Sequence, residues 1–224
     1  MTIAPGYTAP MRFPLLLLLA YLLGSLSGSL ILGRLRGIDI RTLGSGNAGG
    51  TNALRTQGWR FALGVVLIDV GKGALAALLA LHLADRSLAM PPFAQALAAG
   101  YAATLGHLFP LYFGFRGGKG GATLAGVVGA LLPLALAPLF VLWLLMLGAT
   151  GYVGLSTVTA GLALPLAAGL APPGERLAFA IFGAAAGLLV LWAHRGNLRR
   201  LRTGTESRFD RARILGRRRQ RNRS

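Results

Sequence analysis

With 224 residues, 54% of them hydrophobic and 13% charged, and a mean hydropathy of +0.61, the chain is too apolar for an ordinary soluble domain. Its net charge of +17 comes from 23 basic and 6 acidic residues and is concentrated, because twelve arginines follow position 194; beside a spanning helix these mark the cytoplasmic side and contact anionic lipid, in preference to nucleic acid. Cysteine is absent, which excludes disulfides, thiolate metal sites and a cysteine acyl-enzyme.

A helix needs about 20 apolar residues to cross a hydrocarbon core about 30 Å thick. Apolar stretches fall at about 13–33, 61–83, 93–113, 121–136, 138–153, 156–171 and 177–193. The expectation is an all-α integral membrane protein of about seven transmembrane helices, one membrane domain over 1–206 followed by an Arg-rich tail over 207–224. The first stretch follows Arg12, but no small-residue cleavage site with a polar mature domain comes after it, so it reads as a spanning helix and not a signal peptide. Pro133, Pro138, Gly148, Gly151, Gly154 and Pro165 interrupt the fourth to sixth stretches, and five or six crossings is the alternative count.

Basic residues set the orientation. Arg34, Arg36, Arg41, Arg55 and Arg60 follow the first stretch, Arg116 and Lys119 the third, and the arginine tail the last. The links near Asp85 and Arg86 and near Glu175 and Arg176 carry one basic residue each, and the link expected near Pro138 carries none. The N-terminus is therefore expected outside and the C-terminus in the cytoplasm.

The first segment with chemical content is GSGNAGGTN, Gly44 to Asn52. Gly44, Gly46 and Gly49 satisfy the dinucleotide fingerprint, yet a spanning helix precedes them where that fingerprint needs a strand, which rules out a Rossmann site. Closely spaced glycines let backbone amides approach an anion; Ser45, Asn47, Thr51 and Asn52 add donors, and Arg41 and Arg55 add charge. A capped glycine turn is the plainer alternative.

The second is GFRGGKGGAT, Gly114 to Thr123, which departs from a Walker A loop at Phe113 and Gly120. Lys119 among Gly117, Gly118 and Gly120, with a helix starting just beyond, makes a second anion site. The third, His194 to Glu206, spaces His194, Asn197 and Leu201 as on one helix face, and Ser156, Thr157 and Thr159 are expected on the same membrane side. Inside the second stretch Asp69 and Lys72 stand three apart, a pair that is either structural or lines the site.

Taken in order, GSGN with TN and Arg55, then HLFP (His107 to Pro110) with GGKG, then H-x-x-N followed by G-x-E, resemble the acyl-phosphate-dependent glycerol-3-phosphate acyltransferases of bacteria. The resemblance runs from about Gly24 to Glu206; Ser27, Gly50 and Gly154 stand where that family commonly has proline, alanine and serine. It implies a seven-helix fold in the bacterial inner membrane that moves an acyl chain from acyl phosphate to the 1-hydroxyl of glycerol 3-phosphate. The products would be 1-acyl lysophosphatidate and inorganic phosphate, formed at the cytoplasmic face with no cofactor and no metal. By position it assigns chemistry to Ser45, Arg55, Lys119, His194 and Asn197, and substrate binding to Gly44, Gly46, Asn47, Thr51, Asn52, Gly117, Gly118, Gly120, Ser156 and Thr157.

In that frame the substrate hydroxyl attacks the acyl carbonyl directly, Lys119, Arg55 and glycine amides stabilise the developing charge, and either His194 or a substrate phosphate takes the proton. No histidine has an aspartate five residues downstream, so the His-x4-Asp dyad of other glycerolipid acyltransferases is missing. Expected partners are the two substrates, anionic lipids and an enzyme that makes acyl phosphate, with no nucleic acid. Two rivals stand beside this reading: a transporter of phosphorylated molecules, whose site belongs near the bilayer midplane, and a structural membrane protein with a basic binding arm.

Overall fold

The computed structural model describes residues 11–209, and every regular element within them is helical. Residues 210–224, most of the expected Arg-rich tail, lie outside the described residues. The first apolar stretch forms α1 (Arg12–Gly24) and α2 (Gly28–Leu35), bent by 45° at the break between them. After the short α3 (Gly50–Gln57) come α4 (Trp59–His82), α5 (Pro92–Leu108), α6 (Gly121–Leu131), α7 (Pro133–Thr150), α8 (Val153–Ala163), α9 (Arg176–Ala193) and α10 (Arg195–Arg202).

All seven apolar stretches are helical, but fewer are long enough to cross a membrane unaided. Four runs qualify by length and composition: α4, α7, Val153–Leu170, in which α8 continues as a 3-10 helix, and Pro173–Ala193, which ends in α9. The bent α1–α2 pair makes a fifth. Helix α6 has 11 residues, which at about 1.5 Å per residue rise only about 16 Å.

The link expected near Pro138 is elsewhere. Leu132 leaves the helical region (φ −145°, ψ 71°) and Pro133 takes the first helical position of α7, where a missing N–H forfeits no hydrogen bond. Pro138 lies inside α7.

Helix α4 sits at the centre, packed on α1, α2, α3, α5 and α6, while α7, α8 and α9 form the adjoining layer. Small residues allow this closeness. A β-carbon at Gly24 of α1 would overlap the Ala103 carbonyl of α5, and one at Gly126 of α6 would overlap the Val70 carbonyl of α4. The seam where α1, α4 and α5 meet is accordingly built from Ala20, Ala76, Ala80, Ala96, Ala99 and Ala103. Large apolar side chains such as Leu15, Leu67, Leu145, Leu166 and Leu188 point outward, as a lipid-facing surface requires.

At one end of the bundle the loop after α4 is tied by buried Gln95, which accepts from Asp85 N–H (2.9 Å) and donates to the Asp85 and Met90 carbonyls (2.8 and 2.9 Å). At the opposite end the loops carrying the three chemical segments come together.

Candidate active site

Arg41 joins the first two segments. Its guanidinium pairs with Asp39 (2.8 Å) and also donates to the carbonyls of Phe113 (2.9 Å) and Arg116 (3.2 Å), so the loop before α3 and the loop before α6 hold a fixed separation. Asn52, from the first turns of α3, folds the first loop from within. Its side-chain oxygen accepts the Ser45 N–H (2.9 Å) and its nitrogen donates to the Ile40 and Leu43 carbonyls (3.1 and 2.9 Å), leaving the residue 1% exposed. Gly44 has φ +57°, and a β-carbon there would overlap the Asn52 side-chain oxygen, so glycine is required. Ser45 and Gly46 lie exposed at the loop tip, Asn47 and Thr51 are half-buried, and Arg55 projects from α3.

The second segment corrects one expectation. The amides of Gly117 and Gly118 are not free to cradle an anion: they donate to the carbonyls of Leu108 and His107, both at 3.1 Å. The last carbonyls of α5 lack helical partners, and the glycine pair supplies them. What the loop offers to a ligand is the Lys119 ammonium and the opening turn of α6, entered through Gly120 at φ +84°. A β-carbon at Gly118 would also overlap the Ala48 carbonyl, which places the first two segments in direct contact.

In the third segment His194 is the junction residue (φ −97°, ψ 7°) where α9 ends and α10 begins, capping α10 instead of lying within it. The imidazole is 5% exposed, and its Nδ1 donates to the Val190 carbonyl (2.8 Å), which leaves Nε2 as the unprotonated nitrogen. Asn197, on α10, accepts from the Lys119 ammonium and donates to Glu206 (2.6 Å), whose other oxygen accepts from Arg200 (2.7 Å). A β-carbon at Gly154 of α8 would stand 3.0 to 3.1 Å from the Asn197 side chain, so the glycine found in place of serine makes room for this amide.

Ser156 and Thr157 turn inward along their own helix. Ser156 is buried and donates to the Tyr152 carbonyl (2.9 Å); Thr157 donates to Val153 (2.9 Å) and accepts from Trp143 (3.1 Å), with its methyl group against Gly121 at the start of α6. Arg55 donates to the Ser207 carbonyl (3.2 Å) with its charge over the Phe209 ring (5.8 Å). The chain beyond Glu206 thus lies across α3.

Lys119 sits among cations in a partly dry setting. Burial, then Arg200 and Arg55, lower its pKa to about 8, against the raising effect of Glu206. Burial and the Lys119 charge lower His194 to about 4, so it is neutral at physiological pH. Among the described residues no three His, Cys, Asp or Glu side chains gather as metal ligands.

Two residues outside the expected set belong to this region. Glu206 orients Asn197, and its signal was the G-x-E at the end of the third segment, a lone carboxylate in a basic stretch. His107 lies directly beneath Gly118, and its signal was the HLFP that precedes the glycine loop.

Comparison with known proteins bears on this geometry. A family model described as glycerol-3-phosphate acyltransferase matches residues 14–204. A glycerol-3-phosphate acyltransferase of Chlorobaculum parvum is 37% identical over 225 residues, covering 89% of this chain and 97% of that protein. One from a Synechococcus strain is 44% identical over 197 residues, covering 87% and 94%. The crystal structure of PlsY (YgiH), an integral membrane glycerol 3-phosphate acyltransferase in its glycerol 3-phosphate form, superposes with a TM-score of 0.79 at 35% identity, covering 88% of this chain and 95% of that one. Its lysophosphatidic acid form gives the same TM-score at 34% identity, covering 91% and 98%.

Proposed function

The chain belongs to the glycerol-3-phosphate acyltransferase family, and from that premise we propose that it transfers a fatty acyl group from acyl phosphate to the 1-hydroxyl of glycerol 3-phosphate. The observation that carries the proposal is the gathering of Lys119, Asn197, Arg200 and Arg55 from three distant segments at one end of the bundle. Both substrates are phosphorylated and one carries a long acyl chain. A cationic cluster at the end of an apolar bundle suits both halves of such a donor.

In the proposed step the hydroxyl oxygen attacks the acyl carbonyl carbon, the new ester C–O bond forms, and the C–O bond to phosphate breaks. The electron pair leaves with the phosphate, whose charge Lys119 and Arg55 offset. Phosphate is a good leaving group and needs no strong protein acid. The hydroxyl proton has two possible destinations, His194 Nε2 and a substrate phosphate. With His194 lowered to about 4, a phosphate monoester whose second pKa is about 6 is the stronger base and takes the proton.

The same reading places the basic end of the bundle at the cytoplasmic leaflet of the bacterial inner membrane, with seven crossings, the N-terminus outside and the arginines facing anionic lipid. It treats 1–206 as the catalytic domain, 1-acyl lysophosphatidate as the product and the enzyme that makes acyl phosphate as a partner. The test is release of inorganic phosphate when purified protein receives acyl phosphate and glycerol 3-phosphate. Dependence on both substrates with no turnover of acyl-CoA supports the assignment; turnover of acyl-CoA alone rejects the donor.

A further inference from the structure

Beneath the glycine loop lies a buried polar network to which the catalytic reading gives no part. Lys72 of α4 is 4% exposed and Asp69 1%. The Lys72 ammonium has three N–H donors, and three acceptors surround it: Asp69 Oδ1 (3.0 Å), the Leu26 carbonyl (3.0 Å) and His107 Nδ1 (2.9 Å). Asp69 Oδ1 also accepts the Gly28 N–H (3.1 Å). The backbone groups freed by the break between α1 and α2 are thereby satisfied without water, as a spanning segment demands.

Satisfying the break explains Asp69 and Lys72 and leaves His107 over. Nδ1 lies 2.9 Å from the Lys72 ammonium, which has only protons to give, and farther, at 3.4 Å, from Asp69 Oδ1; the shorter contact assigns Nδ1 as acceptor and the ring's own proton to Nε2. That edge of the imidazole points at the loop: a β-carbon on Gly118 would overlap Nε2, with the Ala48 carbonyl crowding the same point. The backbone of the same residue accepts the Gly118 N–H, and the next residue accepts the Gly117 N–H. One side chain therefore meets the ion pair on one edge and the seam between the first two segments on the other, one residue before Lys119.

We infer that His107 is a positioning residue: its Nε2 edge, packed under Gly118, sets where the Gly117–Gly118 loop and hence Lys119 stand. It touches no substrate in this scheme and acts through the loop. The inference rests on the acyl-transfer reading above, in which Lys119 offsets charge on the departing phosphate.

Two substitutions separate the two edges of the ring. His107→Asn keeps an acceptor where Nδ1 faces Lys72 and removes the ring edge under Gly118, leaving the backbone bond from Gly118 N–H in place; His107→Gln keeps a nitrogen where Nε2 meets Gly118 and loses the acceptor facing Lys72. Each is assayed for phosphate release in full-length protein, alone and with Lys119→Ala, and thermal unfolding is measured in detergent. The expected result is that His107→Asn lowers kcat by about 10- to 100-fold with KM for glycerol 3-phosphate and unfolding temperature little changed, the scale of a misplaced catalytic group. His107→Gln should stay within about threefold of the unsubstituted protein on the same grounds. Added to Lys119→Ala, His107→Asn should cost almost nothing further, because the two act as one unit. Full activity in His107→Asn, an additive loss in the double variant, or failure of both single variants to fold overturns the inference and leaves His107 a scaffold residue. Absence of phosphate release from the unsubstituted protein is the separate outcome that removes the acyl-transfer reading itself.

Discussion

Lys119 and Asn197 are 78 positions apart, and the ammonium of the first donates to the side-chain oxygen of the second. Asn197 is turned that way because its amide nitrogen is held by Glu206, so one carboxylate decides which face of the amide the lysine meets. Lys119→Ala should therefore remove both the charge that receives phosphate and the partner that fixes Asn197. The expected loss in kcat is at least about 100-fold, the usual cost of deleting a preorganised donor to developing negative charge. Steady-state phosphate release checks it, and full activity would remove Lys119 from the mechanism.

Glu206→Gln tests the orientation of the amide without emptying the site. Glutamine keeps one acceptor for Asn197 but turns a donor toward Arg200, breaking the 2.7 Å contact. Because Glu206 raises the Lys119 pKa, its neutralisation should move that pKa below its value of about 8. We expect a kcat loss of about tenfold, the scale reported for supporting residues one contact away from a functional group. The accompanying mark is an alkaline limb displaced to lower pH; a limb that stays in place contradicts the proximity of the two groups.

The unsubstituted protein has a pH profile of defined sign. Lys119 carries charge below about pH 8 and loses it above, so kcat/KM should fall as pH rises through that value. His194, lowered to about 4, remains neutral across the range and should contribute no limb between pH 5 and 7. Lys119→Arg, always protonated, should abolish the alkaline limb whatever its effect on rate. A profile of Lys119→Arg that still falls near pH 8 would assign the limb to another group.

The order of segments was legible because each is local: glycine runs, basic loops and apolar stretches are written in neighbouring residues. What each amide does was not. Gly117 and Gly118 read as an anion cradle, but the carbonyls ending α5 take their N–H groups, an outcome set by where the chain returns after Phe109. Pro138 reads as a break and lies inside a helix, because Pro133 had already provided one five residues earlier. His107 and Glu206 take their roles from partners 35 and 9 positions away, Lys72 and Asn197, and the local motifs HLFP and G-x-E mark the residues without naming those partners. The membrane crossings were legible as apolar stretches but not as lengths, because α6 ends at Leu131 while the hydrophobicity continues.

The segment after Glu206 makes a sharper truncation test than the basic tail alone. Phe209 N–H donates to the Gly151 carbonyl (2.8 Å), Arg208 reaches the Tyr152 hydroxyl (2.5 Å), and the Ser207 carbonyl accepts from Arg55. These contacts hold the short segment across α3 and the link between α7 and α8, and they fix Arg55 through its backbone partner. Ending the chain after Phe209 removes seven of the twelve arginines and none of these contacts, so acyl transfer in detergent should stay within about twofold, as for changes away from any built feature. Ending it after Glu206 releases Arg55 as well, and there KM for glycerol 3-phosphate should change while Lys119 keeps its partners. Equal kinetics in the two truncations would show that Arg55 needs no support from Ser207; loss of activity already at Phe209 would give the arginine tail a catalytic part that the lipid-contact reading denies.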